Sequence, residues 1–106
     1  MKKIIDGIRY DTESAIKIGE ASSTVGRSDF RWWEETLYKG KRSARWFLAG
    51  AGGPMSQWGK SQEDNTRTSG EGIRPLSPEQ ALAWCENCLD DPAEWEHHFK
   101  AAITDA

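Results

Sequence analysis

The chain lacks any apolar run approaching the ~20 residues that a membrane-crossing helix requires. Its first residues, MKKIIDGIRYD, carry two lysines but no apolar segment long enough for a signal peptide. A cytoplasmic location is therefore expected. Cysteine is scarce: the two present, Cys85 and Cys88, sit three apart in a segment of helical pattern, which does not offer the geometry of a structural disulfide. That spacing argues against a disulfide framework and favours a reducing compartment. There is no excess of cations either, since 14 lysines and arginines face 17 acids for a formal net charge of -3, and a nucleic-acid-binding domain usually shows the opposite balance. No nucleophile, base and orienter stand at workable spacing, so no enzyme activity, cofactor or metal is expected.

What is present is enough for a single domain over residues 1–106. Six tryptophans supply large apolar surfaces that offset an otherwise polar composition. The central stretch is residues 29–54, DFRWWEETLYKGKRSARWFLAGAGGP, which reads as two strands joined by a basic turn and closed by glycines. One parity carries Phe30, Trp32, Thr36 and Tyr38, the other Trp33, Glu35 and Leu37. After the turn, Trp46 and Leu48 alternate with Phe47 and Ala49, the pattern of a strand covered on both faces or central in its sheet.

Around this hairpin, Lys2 to Tyr10 alternates weakly about an Asp6-Gly7 turn signal and predicts a short hairpin or bulged strand. Asp11-Thr12-Glu13-Ser14 followed by Ala15, Ile16, Ile18, Gly19 and Ala21 predicts a short capped helix. Residues 55–72 are rich in Gly, Ser, Asn and Thr with Trp58 as their one large anchor, so they are expected to be the least ordered part, with an edge strand at Ser56-Gln57-Trp58 as an option. Ile73-Arg74-Pro75-Leu76 predicts a last strand in which Pro75 marks either the strand's end or an edge position, because proline removes a ladder donor. Ser77-Pro78-Glu79-Gln80 is a capping-box pattern before Ala81, Leu82, Trp84, Cys85, Cys88 and Leu89 at helical spacing. Asp90-Asp91-Pro92 then breaks that helix and starts another, running from 92 to about 103. The predicted fold class is α+β: a small antiparallel β-sheet, a short N-terminal helix and two C-terminal helices packed on one sheet face.

Several groups invite chemical readings. Cys85 and Cys88 with His97 and His98 suggest zinc, but the spacing is poor, adjacent histidines diverge by ~100° on a helix, and Cys85 fits the apolar stripe, so buried structural cysteines are expected. Gly50, Gly52 and Gly53 lack the helix start and following Lys-Ser/Thr of a phosphate loop, and predict instead a tight turn or close backbone approach. Glu34 and Glu35 point to opposite sides of a strand and make no acid/base pair; Glu35, on the Trp33/Leu37 face, is expected to be buried beside a cation.

Charge is unevenly distributed. Lys39, Lys41, Arg42 and Arg45 form a basic hairpin tip next to Tyr38 and Trp46, either a solvated turn or a site for phosphate contact and base stacking. Over residues 76–106 the one full cation is Lys100, whereas the acids include Asp90, Asp91, Glu94 and Glu96. That end is either a solvated helix face or a docking surface for a basic partner.

In order along the chain stand Gly7-x-Arg9-Tyr10-Asp11-Thr12-Glu13, Glu34-Glu35-x-Leu37-Tyr38, Trp46-Phe47-Leu48-x-Gly50-x-Gly52-Gly53 and Pro75-Leu76-Ser77-x-Glu79-x-Ala81-x-x-Trp84. This set resembles a group of small proteins of bacterial phages and mobile elements, over most of the chain and least in residues 61–70. Small acidic proteins of that setting without catalytic residues are similar in kind to anti-CRISPR proteins. The resemblance implies a non-catalytic inhibitor or adaptor that binds a host protein or protein complex, such as a CRISPR-Cas component, through the acidic surface at Asp90, Asp91, Glu94 and Glu96. The alternative is a small nucleic-acid-binding module that uses the basic hairpin; net acidity weighs toward the first.

Overall fold

The structure, a computed structural model, describes residues 1–106. The chain starts with an antiparallel hairpin, β1 (Lys2–Ile5) and β2 (Ile8–Asp11), turned by Asp6 and Gly7. Both turn residues have positive φ, 51° and 77°, the backbone of a two-residue turn whose twist matches its strands. Next come β3 (Ala15–Ser22), β4 (Trp33–Gly40) and β5 (Trp46–Gly52). A two-stranded ribbon of β6 (Lys60–Ser61) and β7 (Arg67–Thr68) precedes β8 (Gly70–Leu76). The main sheet is antiparallel, in the order β3-β4-β5-β8. Helix α1 (Pro78–Cys88) and two 3-10 segments, Pro92–Glu94 and Glu96–Ala102, complete an α+β fold.

Strand β5 is the hinge of the packing. Its run Trp46-Phe47-Leu48 is buried residue after residue because the sheet is covered on both faces, as its composition predicts. Toward α1, Leu37, Trp46, Leu48 and Trp58 pack against Trp84, Cys85, Trp95 and Phe99. On the opposite face Phe47 and Ile73 pack under Tyr10 of the first hairpin. Pro75 lies on the edge strand β8, where its missing N–H disrupts no ladder. The capping box at Ser77 is closed in both directions: Ser77 Oγ accepts from Gln80 N at 3.1 Å and Gln80 Oε1 accepts from Ser77 N at 2.8 Å.

Three expectations from sequence are corrected. Residues 15–22 are strand β3 rather than a helix, paired along their length with β4. Asp11 does make the local bond that suggested a cap, accepting from Glu13 N at 3.0 Å, but it closes a turn between strands. The apolar spacing was misleading because a bulge falls between Lys17 and Gly19, so the apolar positions lose their strict alternation and mimic a helical stripe. Residues 55–72 carry defined structure: Trp58 is buried, the ribbon β6-β7 follows, and Arg67 donates to the carbonyls of Pro54 at 2.7 Å and Gly59 at 3.2 Å. Ser56-Gln57-Trp58 is a turn and not an edge strand. The expected second C-terminal helix is replaced by the two 3-10 segments, with breaks at Trp95 and Phe99. Those are the segment's buried residues, so the backbone follows its aromatic anchors there.

Candidate functional site

The most constrained polar group is the carboxylate of Glu35. Register aligns Glu35 of β4 with Gly50 of β5 and Gly72 of β8, so two neighbouring strands carry no side chain beside it. The indole of Trp58 lies in that gap, against Gly50, and donates from Nε1 to Glu35 Oε2 at 2.8 Å. From α1, Trp84 Nε1 donates to Oε1 at 2.9 Å. Gln57 Nε2 donates to Oε2 as well, and Arg74 in turn donates to Gln57 Oε1 while its guanidinium lies over the Trp58 ring, 5.2 Å from the centroid. The partner of Glu35 is thus a pair of indoles and an amide rather than the cation expected from sequence. Buried and accepting three hydrogen bonds, this carboxylate holds loop, sheet and helix together. Glu34 points to the other face, as the alternation predicts, and pairs with Arg27 at 3.0 Å.

Gly50 and its neighbours serve close approach. A side chain at Gly50 would enter the Trp58 ring, and at Gly53 it would meet the carbonyl of Phe30. Cys85 is wholly buried and Cys88 half-buried, both free. Burial, then Cys88 and Glu86, push the Cys85 thiol up to about 11; burial and then Glu35 raise that of Cys88. Both are neutral thiols at physiological pH and so poor nucleophiles. His97 and His98 have adjoining rings 4.0 Å apart, but no three His, Cys, Asp or Glu side chains are grouped to hold a metal ion.

The acidic residues singled out from sequence, Asp90, Asp91, Glu94 and Glu96, are all exposed. They lie along one short segment, and none takes part in the chain's three ion pairs, Lys17–Glu20, Arg27–Glu34 and Arg31–Asp29. Asp91 has a second task, accepting from Ala93 N at 3.0 Å to cap the first 3-10 segment. Trp95 and Phe99 pin the segment to the sheet, with Phe99 stacked on Trp46 at 4.7 Å and 13°.

The basic tip is divided by the sheet. Lys39 lies over the Trp46 ring at 5.2 Å, on the C-terminal layer, where burial first, then His97 and Lys39, hold His98 below the ordinary histidine value. Lys41, Arg42 and Arg45 are exposed and instead line a cleft with Arg9 of β2. Sequence reasoning missed Arg9, because only the folding of the first hairpin over the β4-β5 turn brings it there. A wider groove of about 600 Å³ on the uncovered part of the same sheet face is floored by Thr36, Ala49 and Ala51 and flanked by Glu20, Glu34 and Glu71. No helix is long and apolar enough to cross a membrane. No protein-family model matches the chain, and neither a curated protein nor a solved structure matches it.

Proposed function

We propose that the chain is a non-catalytic protein-binding inhibitor or adaptor of mobile-element origin, of the anti-CRISPR kind, acting in the cytoplasm on a basic surface of a host complex. The observation that carries this reading is the presentation of Asp90, Asp91, Glu94 and Glu96: all exposed, all without ion-pair partners, on a backbone fixed by a cap and two buried rings. A backbone that is already fixed loses little freedom on docking, and like charges carried close together on it gain from an opposite surface. Apolar contact area is available as well. Phe30 and Met55 are 68% and 67% exposed, and the Met55 N–H donates to the Phe30 carbonyl at 2.8 Å, which holds the two loops side by side.

The experiment is co-purification of the tagged chain with a panel of CRISPR-Cas effector complexes, paired with a phage-interference assay in cells carrying the same systems. The expected result is binding and loss of interference for at least one system, both abolished by the combined Asp90→Lys, Glu94→Lys and Glu96→Lys variant. Binding that survives this reversal would overturn the acidic-surface reading, and absence of both effects across the panel would overturn the anti-CRISPR one.

A further inference from the structure

Between the first hairpin and the β4-β5 turn lies a cleft of about 400 Å³ lined by Arg9, Lys41, Arg42 and Arg45. The chain's three ion pairs leave all four unpaired. One acid, Asp11, lines the cleft with them, and its Oδ1 is engaged by the Glu13 N–H at 3.0 Å. The hydroxyls of Ser14 and Ser43 add neutral polar atoms. Ile8, Ala15 and Phe47 complete the lining with apolar surface.

Holding four cations around one concavity raises their mutual repulsion, which a bound anion relieves. The turn that carries three of them is fixed by the Gly40 N–H donating to the Arg45 carbonyl at 2.8 Å, and Ala44 within it adopts a φ of 54°. The aromatic rings nearby do not offer a stacking face: Tyr10 and Phe47 are buried and packed edge to face at 5.3 Å and 66°. The recognised moiety is therefore the anion and not a base. A volume of this size with several guanidinium groups fits linked phosphates better than a single carboxylate.

We propose that this cleft is a binding site for a phosphoryl-bearing anion, gripped jointly by Arg9 of the first hairpin and by Lys41, Arg42 and Arg45 of the β4-β5 turn. It is separate from the acidic surface and stands or falls without it. The phosphates can belong to a small polyphosphorylated molecule or to a nucleic-acid backbone, and the test tells these apart. Inorganic tripolyphosphate and a random-sequence single-stranded oligonucleotide are titrated into the full chain at low salt by calorimetry, with melting temperature followed in parallel. Tripolyphosphate is expected to bind and to raise the melting temperature. Arg9→Gln and Arg42→Gln should each weaken it about tenfold, the loss of one charge-assisted contact. Lys60→Gln, which removes an exposed cation outside the cleft, should change it little.

If the oligonucleotide competes with tripolyphosphate and shows the same Arg9 dependence, the natural source is a nucleic-acid backbone; if it does not compete, the source is a small phosphorylated molecule. Absence of tripolyphosphate binding overturns the proposal. So does binding that falls equally with Lys60→Gln, which would be a net-charge effect, or binding that needs Arg42 but not Arg9, which would reduce the site to a basic turn. Melting of each variant without ligand identifies loss of fold, and Arg9→Lys, which keeps the charge, should restore most of the affinity.

Discussion

Trp84 donates its indole N–H to Glu35 across 2.9 Å, joining helix α1 to the middle of the sheet through a buried carboxylate. Trp58 donates to the other oxygen of the same group, so the two indoles depend on one acceptor. Trp84→Phe should cost about 1.5–3 kcal/mol, the range for a hydrogen bond to a charged group, with part of that from the smaller ring. Trp95→Phe is the control, because the Trp95 indole N–H is buried without a partner and its removal strands nothing. Urea melts of the two variants should rank Trp84→Phe as clearly the more damaging; equal losses would mean that the Glu35 bond adds nothing beyond packing.

Much of this frame was legible in the sequence because local rules and tertiary demands agree there. The Asp6-Gly7 turn, the basic β4-β5 turn, the two-sided burial of Trp46-Phe47-Leu48, the edge position of Pro75 and the Ser77 capping box all follow from backbone preference and side-chain parity. The failures share a cause in longer-range structure. β3 carries a bulge that erases its period, the ribbon β6-β7 is held by Arg67 reaching back to Pro54 and Gly59, and the breaks at Trp95 and Phe99 sit where rings enter the core. The acidic segment could be read directly, since it is contiguous. The cation cleft could not, because Arg9 joins Lys41, Arg42 and Arg45 only when two hairpins meet.

The glycines at one level of the sheet should respond in opposite ways. An added methyl at Gly50 would collide with the Trp58 indole, whereas at Gly72 the nearest atom is Trp58 Cζ3 at 3.7 Å, ordinary contact. Gly50→Ala must displace the ring from Glu35 and should cost about 2–4 kcal/mol or prevent folding. Gly72→Ala should be neutral or stabilise by about 0.4–1 kcal/mol through the unfolded chain. Thermal melts with tryptophan fluorescence as the readout would test both, and a destabilised Gly72→Ala with a silent Gly50→Ala would refute the placement of Trp58.

Stability should weaken on mild acidification through His98. Burial first, then His97 and Lys39, hold its imidazole below the ordinary histidine value, so the unfolded chain takes up that proton more readily than the folded one. The native state is then favoured above the unfolded value of about 6.5 and loses that advantage as pH falls from there toward the folded value. Denaturant midpoints between about pH 7.5 and about pH 5.5 should decline for the parent and decline less for His98→Gln. An identical slope in the variant would assign the pH dependence to other groups.

Asp91 separates docking from folding within the acidic segment, because it is both an exposed charge and the cap on Ala93 N. Asparagine caps about as well as aspartate, so Asp91→Asn removes the charge and leaves the turn. Asp91→Ala removes both and should cost about 1 kcal/mol. If the acidic surface docks on a basic partner, Asp91→Asn should weaken binding to that partner and its salt sensitivity without moving the melting temperature. Should Asp91→Asn bind as the parent does while Asp91→Ala binds poorly and melts early, the residue matters for the turn alone, and the docking surface contracts to Asp90, Glu94 and Glu96.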